Sequence, residues 1–310
     1  MNPLFSVVIP TYNRAQKVTR AVESVLAQTC NDYEIWVIDD GTDNTEEVLK
    51  LFGGRLNYVR GPGPGAGAAA TRNLGINSAR GTYIAFLDSD DWWFPNKLER
   101  VVAMLKARPE VGLFYSNMDL VDISGARIRT PNIREVGNNA YYALLEGNFV
   151  FNSTAVVKRE ALEQVGGFDT QLSGCEDWEL WIRVARRYPV ALIPEPLVAY
   201  EYLSKDSLSG RYKLWLKAHD EVLAKSFVAD PGLELQVKHL IEAGLAYTKG
   251  KICIQLGDDT LALQYFVQAV RLNSRNWRAL IYVTILRFPG LRRALPGRAK
   301  QFLLLPEKYN

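Results

Sequence analysis

The chain has 310 residues, 48% of them hydrophobic and 23% charged, with a net charge of +3, an ordinary globular composition that fits one large domain or a domain plus an appendage and argues against a disordered chain. So small a net charge gives no reason to expect nucleic acid as a partner. Cys30, Cys175 and Cys253 are too far apart for a C-x-x-C spacing, so a disulfide framework and a zinc site are both disfavoured and a reducing, cytoplasmic setting is expected.

The opening MNPLFSVVIP lacks the basic start of a secretory leader and reads as a strand. FSVVIP (5–10) is a buried-strand pattern closed by Pro10, and VTRAVESVLAQ (18–28) has helical apolar spacing. EIWVIDD (34–40), TEEVLKLF (45–52) and LNYVR (56–60) continue as strand, helix and strand. A Gly/Pro-rich stretch (61–67) precedes a helix near 68–78, and GTYIAFLD (81–88) is the next strand. Such alternation predicts an α/β fold with a mainly parallel, Rossmann-like sheet flanked by helices. Beyond Pro95 the pattern gives a helix to about 110, strands at 111–121 and 152–159, a helix at 175–187 and a proline-flanked strand at 193–200. From about 211 to 285 no strand signal returns, so an all-α extension is expected over 211–310. Its longest apolar run, ALIYVTIL (279–286), is far short of the roughly 20 residues that cross a bilayer.

In open α/β sheets ligands bind at the carboxyl ends of the strands. TYN (11–13), DDGTDN (39–44) and DSDD (88–91) all fall at that edge. Asp88, Asp90 and Asp91 are like charges close together, tolerable if a divalent cation arrives with a phosphate ligand. Each piece also has a plain alternative. The turn after Asp40 could be only a loop with a helix N-cap, and a D-x-D is frequent on surface turns. Arg72 could form a surface ion pair, and Glu176 and Asp177 could simply be acids favoured at a helix start. Trp178 and Trp181 read as packing residues. The glycines of 61–67 match neither a Walker loop nor a dinucleotide fingerprint. His219 and His239 both fall in the helical tail, so acid/base work would rest on carboxylates.

Together, VVIPTYNRA (7–15), WVIDDGTDNT (36–45), ATRNLGINSARGTYIAFLDSDDWW (70–93), VGGFD (165–169) and EDWELWIR (176–183) resemble the family 2 glycosyltransferases. These are inverting enzymes with the A-type nucleotide-diphospho-sugar transferase fold, and the likeness spans roughly residues 4–210. It implies a catalytic domain over 1–210, with a nucleotide-binding half to about 92 and an acceptor-side half from 93. Pro10, Thr11, Tyr12 and Asn13 would hold the nucleoside with Asp40 against the base, Asp39 being less suited because it is nearer the strand. Arg72 would belong to the nucleotide pocket. Asp88 and Ser89 would meet ribose, and Asp90, with Asp88, a divalent Mn²⁺ or Mg²⁺. Asp177 would be the general base, with Glu176 beside it. The implied donor is a nucleotide-diphosphate-sugar, a uridine one by preference, and the acceptor a hydroxyl of a glycan or glycolipid in surface-polysaccharide assembly.

One departure stands out: Glu201 and Leu203 replace the arginine and histidine that many relatives carry after the last strand, which would leave their task to Lys205, Arg211 or water. The span 246–274 resembles a tetratricopeptide helical hairpin, with Gly250, Ala262, Phe266 and Ala269 at its small and aromatic positions. The basic residues from Arg271 onward suit either a peripheral contact with the inner face of the cytoplasmic membrane or a helix capping the core. Two other functions fit less well. A nucleotidyltransferase would want a lysine-bearing phosphate loop after strand one, and a non-catalytic nucleotide-sugar-binding or scaffold protein would not need Asp177.

Overall fold

The computed structural model describes residues 2–63, 65–133, 135–172, 174–202 and 212–288. Strands β1 (Phe5–Thr11), β2 (Tyr33–Asp39), β3 (Asn57–Arg60) and β4 (Tyr83–Phe86) alternate with helices α1 (Ala15–Leu26), α2 (Thr45–Leu49) and α3 (Gly67–Ser78). After the two-residue strand β5 (Trp92–Trp93) come α4 (Lys97–Ala107), β6 (Leu113–Val121), β7 (Arg127–Arg129), α5 (Ala140–Glu146), β8 (Val156–Lys158), α6 (Arg159–Val165), α7 (Glu176–Ala185) and β9 (Val190–Glu201). Helices α8 (Tyr212–Ala229), α9 (Leu235–Gln255), α10 (Asp259–Leu272) and α11 (Trp277–Arg287) follow.

Among the described residues nine strands form one sheet, in the order β3-β2-β1-β4-β8-β6-β9-β5 with β7 paired to β6. Every residue of β1 is buried, as expected of a strand covered on both faces, and it pairs in parallel with β2 and β4. The long ladders are parallel, and the antiparallel ones joining β8, β5 and β7 run for two or three residues each. The mainly parallel α/β sheet expected from the alternation is therefore present, with a short antiparallel seam at β8. Val18, Ala21, Val22 and Val25 bury the apolar face of α1. α3 instead approaches β1 through Gly75, where a Cβ would lie 2.4 Å from Val8 Cγ1, so only glycine permits this helix-to-strand distance.

Two tryptophans end the acidic turn and fasten it to the sheet. Trp92 and Trp93 pair with Ala199 and Val198 of β9, and the Trp93 indole donates to Ser153 O at 2.8 Å. Nearby, Lys97 is fully enclosed; its ammonium donates to Thr154 O at 3.0 Å and lies 5.1 Å from the Trp93 ring centre. Helices α5 and α6 and strand β7 had no sequence expectation, because each is short and carries too few periods to register.

The chain divides into two compact units, one running to Ala218 without residues 145–147 and one comprising 145–147 and the residues from His219. In the second unit, Phe266 of α10 stacks on Tyr282 of α11 with ring centres 4.4 Å apart and is tilted against Tyr247 of α9. Gly250 lies beneath this ring, a Cβ there meeting Phe266 at 2.8 Å. Ala262, Phe266 and Ala269 are fully buried, so the small and aromatic positions read from the sequence form this unit's interior. No helix among the described residues is long and apolar enough to cross a membrane.

Candidate active site

The carboxyl ends of β1, β2 and β4 open on one cleft of about 730 Å³. Pro10, Thr11, Tyr12 and Arg14 line it after β1, Asp40 after β2, and Asp88, Ser89, Asp90 and Asp91 after β4. Gly65, then Gly67, Ala68, Thr71 and Arg72 of α3, and Tyr200 and Glu201 of β9 complete the wall. Asn13, Glu176 and Asp177 do not line it.

The adjacent acids after β2 divide their tasks. Asp39 is fully buried and committed inward, accepting from Tyr58 Oη at 2.8 Å, Arg60 Nη1 at 3.0 Å and Gly41 N at 2.9 Å. Asp40 faces the cleft and accepts from Gly63 N at 3.0 Å. Asn13 is a brace: with φ at 51° it turns its Oδ1 to accept from Thr42 N at 2.7 Å and Asp43 N at 3.2 Å. A left-handed conformation is one that asparagine tolerates better than most residues, and the bond locks the turns after β1 and β2 together.

Arg72 is 5% exposed and bridges two acids, its Nη2 meeting Asp88 Oδ1 and its Nη1 meeting Glu176 Oε1, both at 2.7 Å. With the amide oxygen of Asn152 turned toward it, Nη2 also donates there at 2.9 Å. Burial alone would lower the guanidinium's pKa, and the charges of Asp88 and Glu176 more than reverse this, so it is raised. The surface ion pair considered for Arg72 is thus a buried one, and Glu176 reaches the cleft only through it.

The acidic turn is braced from distant parts of the chain. Asp88 N donates to Ser153 Oγ at 3.0 Å, and Ser153 Oγ donates to Asp91 Oδ2 at 2.5 Å. Glu201 N donates to Asp91 Oδ1 at 2.9 Å. Burial, then the charges of Asp90 and Asp88, pushes the Asp91 carboxyl well up, which suits a structural acid. Asp90 is more open, its side chain 24% exposed and paired with Arg14 Nη1 at 2.5 Å. Burial and the Asp88 charge raise its pKa while Arg14 opposes them. Glu201 is held between Lys17 Nζ at 2.6 Å and Arg20 Nη2 at 3.1 Å. Leu203, Lys205 and Arg211 lie outside the described residues. Arg14, Ser153 and the pairing of Glu201 with Lys17 and Arg20 were missed by sequence reasoning, which marked Glu201 only as a departure from the family pattern, for their partners stand far away along the chain.

Asp177, second residue of α7, is half-buried. Its Oδ1 accepts from Trp178 N at 2.7 Å and its Oδ2 from Asn148 Nδ2 at 3.0 Å. Burial first, then the charge of Glu176, pushes its carboxyl up to about 7, against the pull of Arg72. Trp178 and Trp181 are buried and donate to Leu144 O at 2.5 Å and Val150 O at 3.0 Å, as packing residues do.

Residues 6–166, over half of the chain, match the family model described as glycosyl transferase family 2. The chain belongs to glycosyl transferase family 2. An Escherichia coli relative, the UDP-Glc:alpha-D-GlcNAc-diphosphoundecaprenol beta-1,3-glucosyltransferase WfgD, is 30% identical over 234 residues, covering 74% of this chain and 88% of that one. An uncharacterized glycosyltransferase of Rickettsia felis is 31% identical over 197 residues, 61% of this chain and 32% of the relative. This match thus spans about a third of the longer protein. Among solved structures, S. aureus TarS 1-349 aligns with a TM-score of 0.65 at 16% identity, covering 98% of this chain and 90% of that one. The mannosyltransferase PcManGT of Pyrobaculum calidifontis, in complex with GDP-Man and Mn²⁺, aligns with a TM-score of 0.61 at 20% identity, covering 98% and 84%. At such identities these likenesses establish the fold, the A-type glycosyltransferase architecture followed by helices. Among the described residues the cleft offers a metal only oxygen ligands, and no group of three or more potential ligands could hold one unaided. One or two carboxylates fit a hard cation whose other ligands are phosphate oxygens and water.

Proposed function

We propose that the cleft binds a nucleotide-diphosphate-sugar, a UDP-sugar by preference, and that the chain transfers the sugar with inversion to a hydroxyl of a glycan or glycolipid. The observation that carries this reading is the convergence of three turns, after β1, β2 and β4, with the buried Arg72 on one cleft. Pro10, Thr11 and Tyr12 would flank the nucleoside, Asp40 would accept from the base, and Asp88 and Ser89 would meet the ribose. Asp90, with Asp88 beside it, would hold Mn²⁺ or Mg²⁺, which when bound offsets the charge developing on the departing diphosphate. Arg72 fixes Asp88 on one side and Glu176 on the other. Asp177, whose carboxyl is raised to about 7, is suited to take the proton from the acceptor hydroxyl as that oxygen attacks the sugar's anomeric carbon. That the E. coli relative WfgD is a UDP-Glc:alpha-D-GlcNAc-diphosphoundecaprenol glucosyltransferase supports a UDP-sugar donor and a lipid-diphosphate acceptor. A lipid acceptor would also give the basic segment from Arg271 onward a cytoplasmic membrane surface to meet; that part fails if removing residues 271–310 leaves liposome binding unchanged.

The test is calorimetric titration with UDP-glucose, UDP-GlcNAc, GDP-mannose and the free nucleoside diphosphates, with and without Mn²⁺. Metal-dependent binding of one donor, abolished in Asp90→Asn, is expected. Failure of all of them to bind a folded protein would reject the donor assignment.

A further inference from the structure

Between α5 and β8 the chain is fastened to α7 at two points. The Trp178 indole donates to Leu144 O and, one helical turn on, the Trp181 indole donates to Val150 O. Both indoles are buried, so the two carbonyls are fixed relative to the helix that carries Asp177. Asn148 lies between these staples. Its amide has one orientation available, because Val150 N donates to Asn148 Oδ1 at 3.0 Å and leaves the NH2 group turned to Asp177 Oδ2.

We propose that Asn148 is a positioning residue for Asp177, holding the carboxylate in one rotamer with a lone pair of Oδ2 free for the hydroxyl that attacks. The inference rests on the reading of Asp177 as the base. It also explains why, of two adjacent acids, Asp177 would act: Glu176 is held by Arg72, whereas Asp177 is held by a neutral donor that orients it without removing its basicity. Asp177 Oδ1 is engaged by the backbone at Trp178 N, so the Asn148 bond is what fixes the second oxygen. Charged groups facing Asp177 are Glu176 on its own helix, Arg72 on α3 and Asp88 in the acidic turn; none of them changes when Asn148 is replaced.

The experiment uses the full chain and three variants, Asn148→Ala, Asn148→Asp and Asp177→Asn. Nucleotide release is measured from UDP-glucose, UDP-GlcNAc and GDP-mannose, with the Asp177 carboxyl followed by carbon NMR across pH. Asn148 is exposed, so its substitution is expected to leave Tm and the Trp178 and Trp181 indole signals unchanged. Asn148→Ala is expected to raise the titration midpoint of Asp177, since a hydrogen bond to the charged form is lost. Turnover should fall by roughly 10- to 100-fold through misplacement of the base, with UDP affinity unaltered. Asn148→Asp should raise the midpoint further by adding a like charge. Loss of turnover in Asp177→Asn together with wild-type turnover and midpoint in Asn148→Ala overturns the positioning role and keeps the base. Full turnover in Asp177→Asn overturns the base reading itself, and with it any catalytic consequence of Asn148.

Discussion

A carboxylate acting as base must be ionised. On the proposal that Asp177 is this base, its carboxyl, raised to about 7, should make the rate fall as pH drops through 7 and level off above it, a limb that a solvent-exposed aspartate would place about three units lower. Asp177→Asn should remove that limb and lower turnover by about 10²–10⁴-fold while donor binding persists, as titration calorimetry would record. Arg72 belongs to a different class of residue. Arg72→Leu leaves Asp88 and Glu176, 27% and 18% exposed, without the buried cation that pairs them, and denaturant unfolding should report a loss of about 1–3 kcal/mol. The split between Asp39 and Asp40 was readable from position along the strand, since the residue nearer the strand end points inward. The ion pairs of Arg14 and Glu201 were not readable, because Asp90, Lys17 and Arg20 stand as many as 184 positions from their partners.

At the scale of elements, periodicity served well wherever a segment was long. β1, α1, β2 and α3 stand within a few residues of their expected bounds, and the helical pair α9 and α10 has Gly250 against Phe266 as the repeat-like spacing implied. Short elements held by tertiary contacts were invisible. β5 is two residues long and exists because Trp92 and Trp93 meet β9. Gly75→Val should drive α3 off β1, with a loss of about 1–3 kcal/mol in denaturant unfolding. Phe266→Ala should empty the aromatic cluster of the second unit at a loss of about 3–5 kcal/mol, measurable as a fall in its melting transition.

For the molecule as a whole, Lys97 gives stability a pH signature. Burial lowers its pKa from 10.5 to about 7, while an unfolded chain keeps the lysine proton up to its ordinary value. Between those limits the unfolded state binds more protons, so stability rises with pH, by at most about 1.4 kcal/mol per unit from this group. Subtracting the denaturation profile of Lys97→Met from that of the parent chain isolates the slope; a flat difference between pH 7 and 10 would contradict the enclosed site. Residue patterns indicated the architecture of the catalytic unit, whereas the enclosure of Lys97 follows from β5, α4 and the turn before β8 meeting in space and has no local trace.

The bracing of the acidic turn also bears on how the protein is made. Asp88 and Asp91 leave the ribosome long before Ser153, which bonds both, and the Glu201 amide that completes Asp91 follows 110 positions later. At about 5–20 residues per second, that interval is roughly 5–20 seconds of synthesis. During it, the strands from β1 to β4 are already available to pair while the loop that finishes their cleft is unfinished. A nascent chain halted before residue 201 would therefore carry the first half of the sheet with its acidic turn incompletely braced, so the proposed donor is expected to bind only as the catalytic unit nears completion.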